Sequence, residues 1–467
     1  MHRIHHPAEP VGNQSRDHLN SLEPRCLRTF TPTQAVIARS AGIYHWTPDG
    51  RRLYDFTSGV LVSNLGHNPA SWLKRFSEYM GWSSVDFGGT GYAPAVPMTS
   101  YNAITPVEIE ASRRLIASLC RSPGGGRMER VLWAASGSEA IQKSLWAAMA
   151  FDRSRPMILA TRYGFHGKKG LASAVTGSET DAERDPRVRF ISFPMAECRD
   201  ISLRHAPFDC TPYRQELEAL LHQFGRKIGT LITEPYLGGG GSYHPPREYL
   251  QLLQRFCREN DIVFILDEVQ ANFGRTGAMY AFETYGIEPD LVVLGKGLGN
   301  GVPVAAVVGR ADILGSLDYG EGSDTWSANP LCCAAVLATL DEFESRDVLK
   351  AMKPASEVLE RGLLGLKDFH FVANVRGEKG GMVWGIEMGD SAGRTAAEWA
   401  NAFVLAAYLG EGPGSDGVHL LGPLSRKVVR VSPPLVITPD EAARAVALLR
   451  HAAARLVTQP DAIAVAS

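Results

Sequence analysis

Long hydrophobic runs, an excess of positive charge and paired cysteines are all missing from this chain, and each absence removes a class of function. The longest apolar stretches, such as 331–340 and 302–308, fall far short of the roughly 20 residues that span a bilayer, so no transmembrane helix is expected. Lys and Arg number 48 against 50 Asp and Glu, a formal net charge of -2. No broad cationic field is present for a phosphate backbone, and nucleic-acid binding is not expected. The 7 cysteines, Cys26, Cys120, Cys198, Cys210, Cys257, Cys332 and Cys333, form no C-x-x-C pair. This argues against a disulfide framework or zinc site and for reduced thiols in a cytoplasm. Residues 1–19 are polar and lack the apolar segment of a secretory signal, so a disordered or extended tail is expected over 1–25. On such a tail His2, His5 and His6 are expected to be solvated rather than to hold a metal.

What is present has the composition of a large globular protein. Its 467 residues, 45% apolar and 21% charged, suit two or three domains. Short apolar runs at 131–135, 157–162, 188–193, 230–234, 262–269, 291–294 and 305–309 alternate with helical stretches. Continuous apolar character implies strands buried on both faces, hence an α/β fold with a seven-stranded, mostly parallel sheet covered by helices. Between the fourth and fifth runs, Leu250, Leu253, Phe256 and Cys257 follow Pro245-Pro246 at helical spacing, which predicts a crossover helix. Ahead of this block, residues 42–59 alternate around Pro48-Asp49-Gly50, a hairpin signal. Beyond about residue 340 the texture changes again, to helices and two more apolar runs. A smaller α+β domain made from both chain ends is expected, with 26–88 as its first segment, 89–338 as the large domain and 339–467 as its second.

The residues that carry chemistry cluster after the strand candidates. The first run leads through Ala135-Ser136-Gly137-Ser138-Glu139 into a helix, gathering amides and hydroxyls at a helix N-terminus that can hold a phosphate, although a plain N-cap would also explain the serines. After the second run, Tyr163-Gly164-Phe165-His166-Gly167 offers a flat aromatic or imidazole face. The fifth ends in Asp267-Glu268-Val269-Gln270, a carboxylate where α/β folds place ligands. The sixth runs into Gly295-Lys296-Gly297, a lysine with little steric cover. An anion cradle, a stacking surface, a buried acid and a lysine are together what pyridoxal phosphate needs.

In this arrangement the chain resembles the class III (ω) aminotransferases, pyridoxal-phosphate enzymes of fold type I. The resemblance runs from about Gly42 to Ile437 through Tyr54-Asp55-Phe56, Gly66-His67, Ser136-Gly137-Ser138-Glu139-Ala140, Phe165-His166-Gly167, Glu234-Pro235, Asp267-Glu268-Val269-Gln270, Gly295-Lys296-Gly297, Asn329-Pro330 and Arg430. It implies that Lys296 forms the Schiff base and then carries a proton between substrate and cofactor. Asp267 would pair with the pyridine nitrogen and keep it protonated. Val269 and Phe165 or His166 would flank the ring, Glu234 and Gln270 would also belong to the cofactor site, and Gly137 and Ser138 would hold the phosphate. Thr325 matches a threonine that reaches the phosphate of the neighbouring subunit, which implies a homodimer. Arg430 matches the arginine that binds a substrate carboxylate, and Val60 stands at a substrate position that is branched aliphatic in relatives using 4-aminobutyrate.

The chain also departs from the pattern. Where many relatives carry a glutamate that masks the substrate arginine, this chain has Gly239, inside a glycine run 238–241 that looks more like dialkylglycine decarboxylases. Those enzymes, however, have a glutamine where Val60 stands. The expectation is a cytoplasmic transaminase moving an amino group from an ω-amino acid or related amine to a 2-oxo acid. Decarboxylase, epimerase or aminomutase activity on the same fold is the alternative, and a non-catalytic binding protein the remote one. The loop 87–102, with Tyr92 and Tyr101, is a candidate for the pocket wall.

Overall fold

A computed structural model describes residues 4–86, 88–181 and 184–458. His2 and Phe87 lie outside the described residues. The chain forms two compact units, a smaller one of Met1–Pro69, Arg199–Ile201 and Val348–Ser467 and a larger one of Ala70–Cys198 and Ser202–Asp347.

The larger unit is built on seven strands: β1 (Arg130–Ala134), β2 (Met157–Thr161), β3 (Val188–Ile191), β4 (Ile228–Thr233), β5 (Val263–Asp267), β6 (Leu291–Leu294) and β7 (Ala305–Gly309). They lie in the order β1-β7-β6-β5-β4-β2-β3. All pairings are parallel except those of β7, which runs antiparallel to both β1 and β6. The expected seven-stranded, mostly parallel sheet is therefore present, each strand within a few residues of its apolar run. Helix α1 (Gly137–Phe151) follows β1, and its Ala140, Ile141, Leu145 and Ala148 join Ile158, Ile232, Ile265, Val293 and Val307 of the strands in one buried core. Helix α2 (Arg247–Glu259) is the crossover between β4 and β5 and buries Leu250, Leu253, Phe256 and Cys257. Because β1, β2, β4, β5 and β6 point the same way, their C-terminal ends open on one sheet edge, where parallel folds place ligands.

The smaller unit holds a four-stranded sheet and a three-stranded antiparallel sheet. In the first, the hairpin of Tyr44–Trp46 and Arg52–Asp55 turns at Gly50, with φ +86°, and Arg52–Asp55 pairs with Gly417–His419 from the other end of the chain. In the second, Trp384–Met388 lies between Val372–Gly377 and Val428–Val431.

Two features differ from the sequence-based expectations. The larger unit begins at Ala70 and ends at Asp347, not at 89 and 338. The change of texture near residue 340 falls inside a helix, Pro330–Arg346, that belongs to the large unit, where Thr339 Oγ1 accepts a 2.9 Å hydrogen bond from Trp72 Nε1. The N-terminal stretch, expected to be disordered or extended over 1–25, carries the helix Pro10–Leu22. Two of its polar residues, His6 and Glu9, are buried and paired rather than solvated. Glu9, 1% exposed, accepts from Arg16 at 2.6 Å, from Arg51 at 2.5 Å and from the Tyr408 hydroxyl at 2.8 Å. His6 Nε2 lies 2.7 Å from the Thr33 carbonyl oxygen.

Burial raises the Glu9 pKa, but the Arg16 and Arg51 guanidiniums outweigh it and hold the carboxyl below its ordinary range. The stabilisation is thus complete above the ordinary glutamate value of 4.5 and is lost as pH falls below it. Glu9→Gln strands two buried guanidiniums and is expected to cost about 3–5 kcal/mol, read as a lower urea midpoint at pH 7 and a smaller difference from the parent protein at pH 4.

Candidate active site

The site assembles at the open sheet edge from residues just past the strands. Asp267 ends β5 and is 4% exposed. A carboxylate buried so deeply needs hydrogen-bond partners. One oxygen, Oδ2, lies 2.7 Å from His166 Nδ1, and Oδ1 accepts the Val269 amide at 3.0 Å. Since the carboxylate accepts, His166 Nδ1 carries the proton toward it, and the buried Nε2 has no hydrogen-bond partner among the described residues. A carboxylate offers about four acceptor positions. Asp267 therefore keeps capacity for one more donor.

Glu234, at the end of β4, ties neighbouring pieces to this pair. Its Oε2 accepts the Phe165 amide at 2.8 Å, and its Oε1 accepts the Gly238 amide at 3.2 Å and Gln270 Nε2 at 3.1 Å. Burial, reinforced by the Asp267 carboxylate and opposed by His166, pushes Glu234 up to about 7. Glu268 is turned the other way, capping the helix Ala281–Tyr285 by accepting from the Ala281 and Phe282 amides at 2.7 Å each. Burial lifts it to about 8. Two adjacent carboxyls thus divide into one facing the site and one serving the fold.

Glycines shape the space between these groups. A Cβ at Gly137 or Gly295 would meet Val269 at 3.2 Å and 3.3 Å, so the phosphate-loop candidate and the residue before Lys296 both close on the Val269 side chain. Gly167, at φ +147°, leaves room only for Ser138 Oγ, against which a Cβ would collide. Lys296 itself is half-buried and takes φ +48°, the left-handed region that most side chains avoid. The run 238–240 is explained in the same way, since Cβ atoms there would approach Gln270 at 2.6 Å, Phe165 Cβ at 2.9 Å and the Tyr163 carbonyl at 2.9 Å. Gly239 is therefore not merely a missing glutamate. No side chain fits there while Phe165 keeps its position.

The structure thus brings together Gly137, Ser138, Phe165, His166, Glu234, Asp267, Val269, Gln270 and Lys296 in the larger unit. Thr325 is exposed on the loop ahead of Asn329-Pro330 in the same unit. Tyr92 and Tyr101 are exposed as well. Val60 and Arg430 belong to the smaller unit, on segments whose backbones meet nearby, since Ser58 Oγ donates to the Ser432 carbonyl at 2.8 Å and Ser432 N donates to the Phe56 carbonyl at 2.9 Å. Arg430 is buried, in the strand Val428–Val431, and Val60 is 39% exposed.

Around Val60 the chain does something its sequence does not announce. Ser58, Gly59, Val60 and Leu61 have φ of +48°, +57°, +69° and +64°, one turn of left-handed helix. Left-handed backbone costs roughly 1–2 kcal/mol for each non-glycine residue, so this turn is held by its surroundings. Asp55 Oδ1 accepts the Thr57 amide at 2.8 Å, the Thr57 hydroxyl at 2.7 Å and the Ser58 amide at 3.2 Å, while Oδ2 lies 2.8 Å from His67 Nε2. His45 Nε2 is 3.6 Å from Oδ1. Burial opposes ionisation of Asp55, yet His45 and His67 hold it far below the ordinary carboxylate range. The His45, Asp55 and His67 ligand atoms lie within 4.8 Å of one another, close enough for a metal ion, although both Asp55 oxygens are already engaged. His45 comes from the strand paired with that of Asp55, and His67 from beyond the hairpin, so the sequence order alone does not show that the three meet.

A model of the family described as "Aminotransferase class-III" matches residues 28–453. Among characterised relatives, the acetylornithine aminotransferase of Agrobacterium fabrum is 28% identical over 445 residues, covering 93% of this chain and 98% of that protein. The 4-aminobutyrate aminotransferase of Mycobacterium leprae is 29% identical over 447 residues, covering 92% and 93%. Among solved structures, an amine transaminase from an uncultivated Pseudomonas species in its PLP-bound form shares 26% identity at a TM-score of 0.75, covering 97% of this chain and 99% of that one. The ornithine aminotransferase of Toxoplasma gondii shares the fold, with 21% identity, a TM-score of 0.77 and 96% of each chain covered.

The packing of Gly239 yields a direct test. Gly239→Glu, which places the residue common in relatives at this position, is expected to displace Phe165 and to lower the cofactor content of the purified protein rather than to alter donor choice. Absorbance of the bound cofactor after dialysis checks this, and full retention of cofactor with a changed donor preference would contradict it.

Proposed function

Because the chain belongs to the class-III aminotransferases, whose cofactor is pyridoxal phosphate, we propose that it acts as a cytoplasmic homodimer that moves an amino group from an ω-amino acid or related primary amine to a 2-oxo acid in two half-reactions. The observation that carries this reading is Asp267, buried at the end of the central parallel strands, held by His166 and the Val269 amide and keeping acceptor capacity for one further N–H. The residues suit the cofactor. Gly137 and Gly295 let the phosphate loop and the backbone before Lys296 pack directly against Val269, where a Cβ would crowd it, and hydroxyl and amide donors stand at the N-terminus of α1.

Bound pyridoxal phosphate supplies a carbonyl carbon for amine exchange and a protonated ring that accepts the electron pair left when a substrate Cα–H bond breaks. Asp267 holds the proton on the ring nitrogen, because an adjacent buried carboxylate favours the charged form of that nitrogen. His166 fixes the orientation of Asp267 through Nδ1. Glu234 anchors Gln270 and the Phe165 backbone, so the side chains on either side of the slot move as one piece. With the cofactor bound, the Lys296 amine would tether it and would serve as the base that takes the substrate Cα proton. Gly137 and Ser138 bind the phosphate within the subunit, and Thr325 binds it from the neighbouring one. Arg430 binds the substrate carboxylate, bidentately where its planar fork allows. Val60 lines the substrate side.

The donor class is supported by the 4-aminobutyrate, acetylornithine and ornithine aminotransferases among the similar proteins. The glycine run 238–241 supports a second reading, decarboxylase-like, epimerase or aminomutase chemistry at the same site. The two separate on whether turnover needs a 2-oxo acid acceptor.

Addition of 4-aminobutyrate, ornithine, N-acetylornithine, β-alanine or simple α-amino acids, one at a time, is expected to convert the visible band of the bound cofactor into the near-ultraviolet band of its amine form with one donor class. Turnover without any acceptor would favour the second reading. Lys296→Ala is expected to lower turnover on every donor by at least about 10³-fold, the scale of a lost acid–base group. Steady-state rates that stay within tenfold of the parent would sink the assigned mechanism.

A further inference from the structure

Helix α1 carries a second charged feature that the cofactor chemistry does not use. Lys143, one and a half turns in from Ser138, is 3% exposed, an unusual place for an ammonium group. It donates to the Trp133 carbonyl at 2.8 Å, to Asp324 Oδ2 at 2.6 Å and to Ser327 Oγ at 2.6 Å, which uses all three of its N–H bonds. The other Asp324 oxygen accepts the Trp326 amide at 2.9 Å and the Ser327 amide at 2.8 Å. Ser327 Oγ also donates to the Trp133 carbonyl at 2.9 Å. The backbone on both sides of Thr325 is thereby fastened to α1 and to the end of β1, while Thr325 itself stays exposed.

A buried ammonium is costly to desolvate, and an apolar residue could fill the same volume more cheaply. What the charge adds is direction, because three short charge-assisted bonds fix the loop in one conformation. We propose that Lys143 is a positioning residue for cofactor binding. By pinning Asp324 and Ser327 it sets where the Thr325 hydroxyl stands, and so how tightly the neighbouring subunit holds the phosphate of its cofactor. The first turn of α1, at Gly137 and Ser138, serves the phosphate of its own subunit. One helix then links the two cofactor sites of the dimer. This inference rests on the reading that Thr325 reaches the phosphate of the neighbouring subunit.

The test is a double-mutant comparison of dissociation constants for pyridoxal phosphate, measured by titrating the apo form of the full chain, with the dimer checked by sedimentation. Thr325→Ala and Lys143→Met are each expected to weaken binding at least about tenfold, as for one charge-assisted hydrogen bond, and the double variant no more than the weaker-binding single. Asp324→Asn carries the same comparison if Lys143→Met does not fold. If Thr325→Ala weakens binding and neither Lys143→Met nor Asp324→Asn does, the positioning role is overturned while the phosphate role of Thr325 stands. Losses that multiply in the double variant also overturn it, because Lys143 then acts other than through Thr325. If Thr325→Ala leaves the affinity unchanged, the reading of Thr325 fails and the inference fails with it.

Discussion

A carboxylate buried at the end of the central strand sets the terms for the larger unit. Asp267 can be buried away from water only if donors come to it, and the side-chain donor that comes is His166, from the loop after β2. In the sheet, β4 lies between β5 and β2, so that loop must cross the edge of a strand to arrive. The glycines around it follow from this demand. A Cβ at Gly164 would come within 2.9 Å of His166 Nε2, and one at Gly167 would strike Ser138. Glu234 then takes the Phe165 amide, and Gln270 takes Glu234. What looks like a list of motif residues is a chain of consequences from one buried carboxyl whose hydrogen bonds have to be met.

Much of this was legible because burial on both faces leaves a plain mark. The seven apolar runs all became strands of one sheet, and the candidate residues just past several of them lie at one edge, because the C-terminal edge of a parallel sheet is where backbone ends converge. The direction of β7 was less visible, although the connection from β6, residues 295–304, has no helix long enough to cross the sheet, and parallel neighbours need one. Contacts between residues far apart in sequence left no such mark. The Glu9 cluster draws on Arg51 and Tyr408, the Lys143 cluster on Asp324, and the Asp55 cluster on His45 and His67. In each case a polar residue that composition alone assigns to solvent is buried because its partner arrives from elsewhere in the chain. The boundary expected near residue 338 falls inside the helix Pro330–Arg346, which Trp72 joins to the larger unit through its bond to Thr339.

Some of the backbone strain lies where chemistry is proposed. Lys296 and the turn at Ser58–Leu61 both adopt left-handed φ, and the turn is tied down by Asp55. Strain of this kind persists only where the surroundings over-determine the geometry. The side chain at position 60 is then only part of what this turn presents, because the backbone beneath it is held in a conformation that a valine would not choose alone.

The smaller unit is stitched from both ends of the chain, with Arg52–Asp55 paired to Gly417–His419 and Glu9 enclosed by Tyr408. During synthesis, at about 5–20 residues per second, the first segment waits on the order of tens of seconds for the strand that completes its sheet. The larger unit has all of its sheet strands well before then. Through that interval the left-handed turn lacks Ser432, and the partly assembled segment offers an unpaired strand edge to other chains. Polar residues around Glu9, solvated until their partners emerge, give the waiting segment a surface that water tolerates.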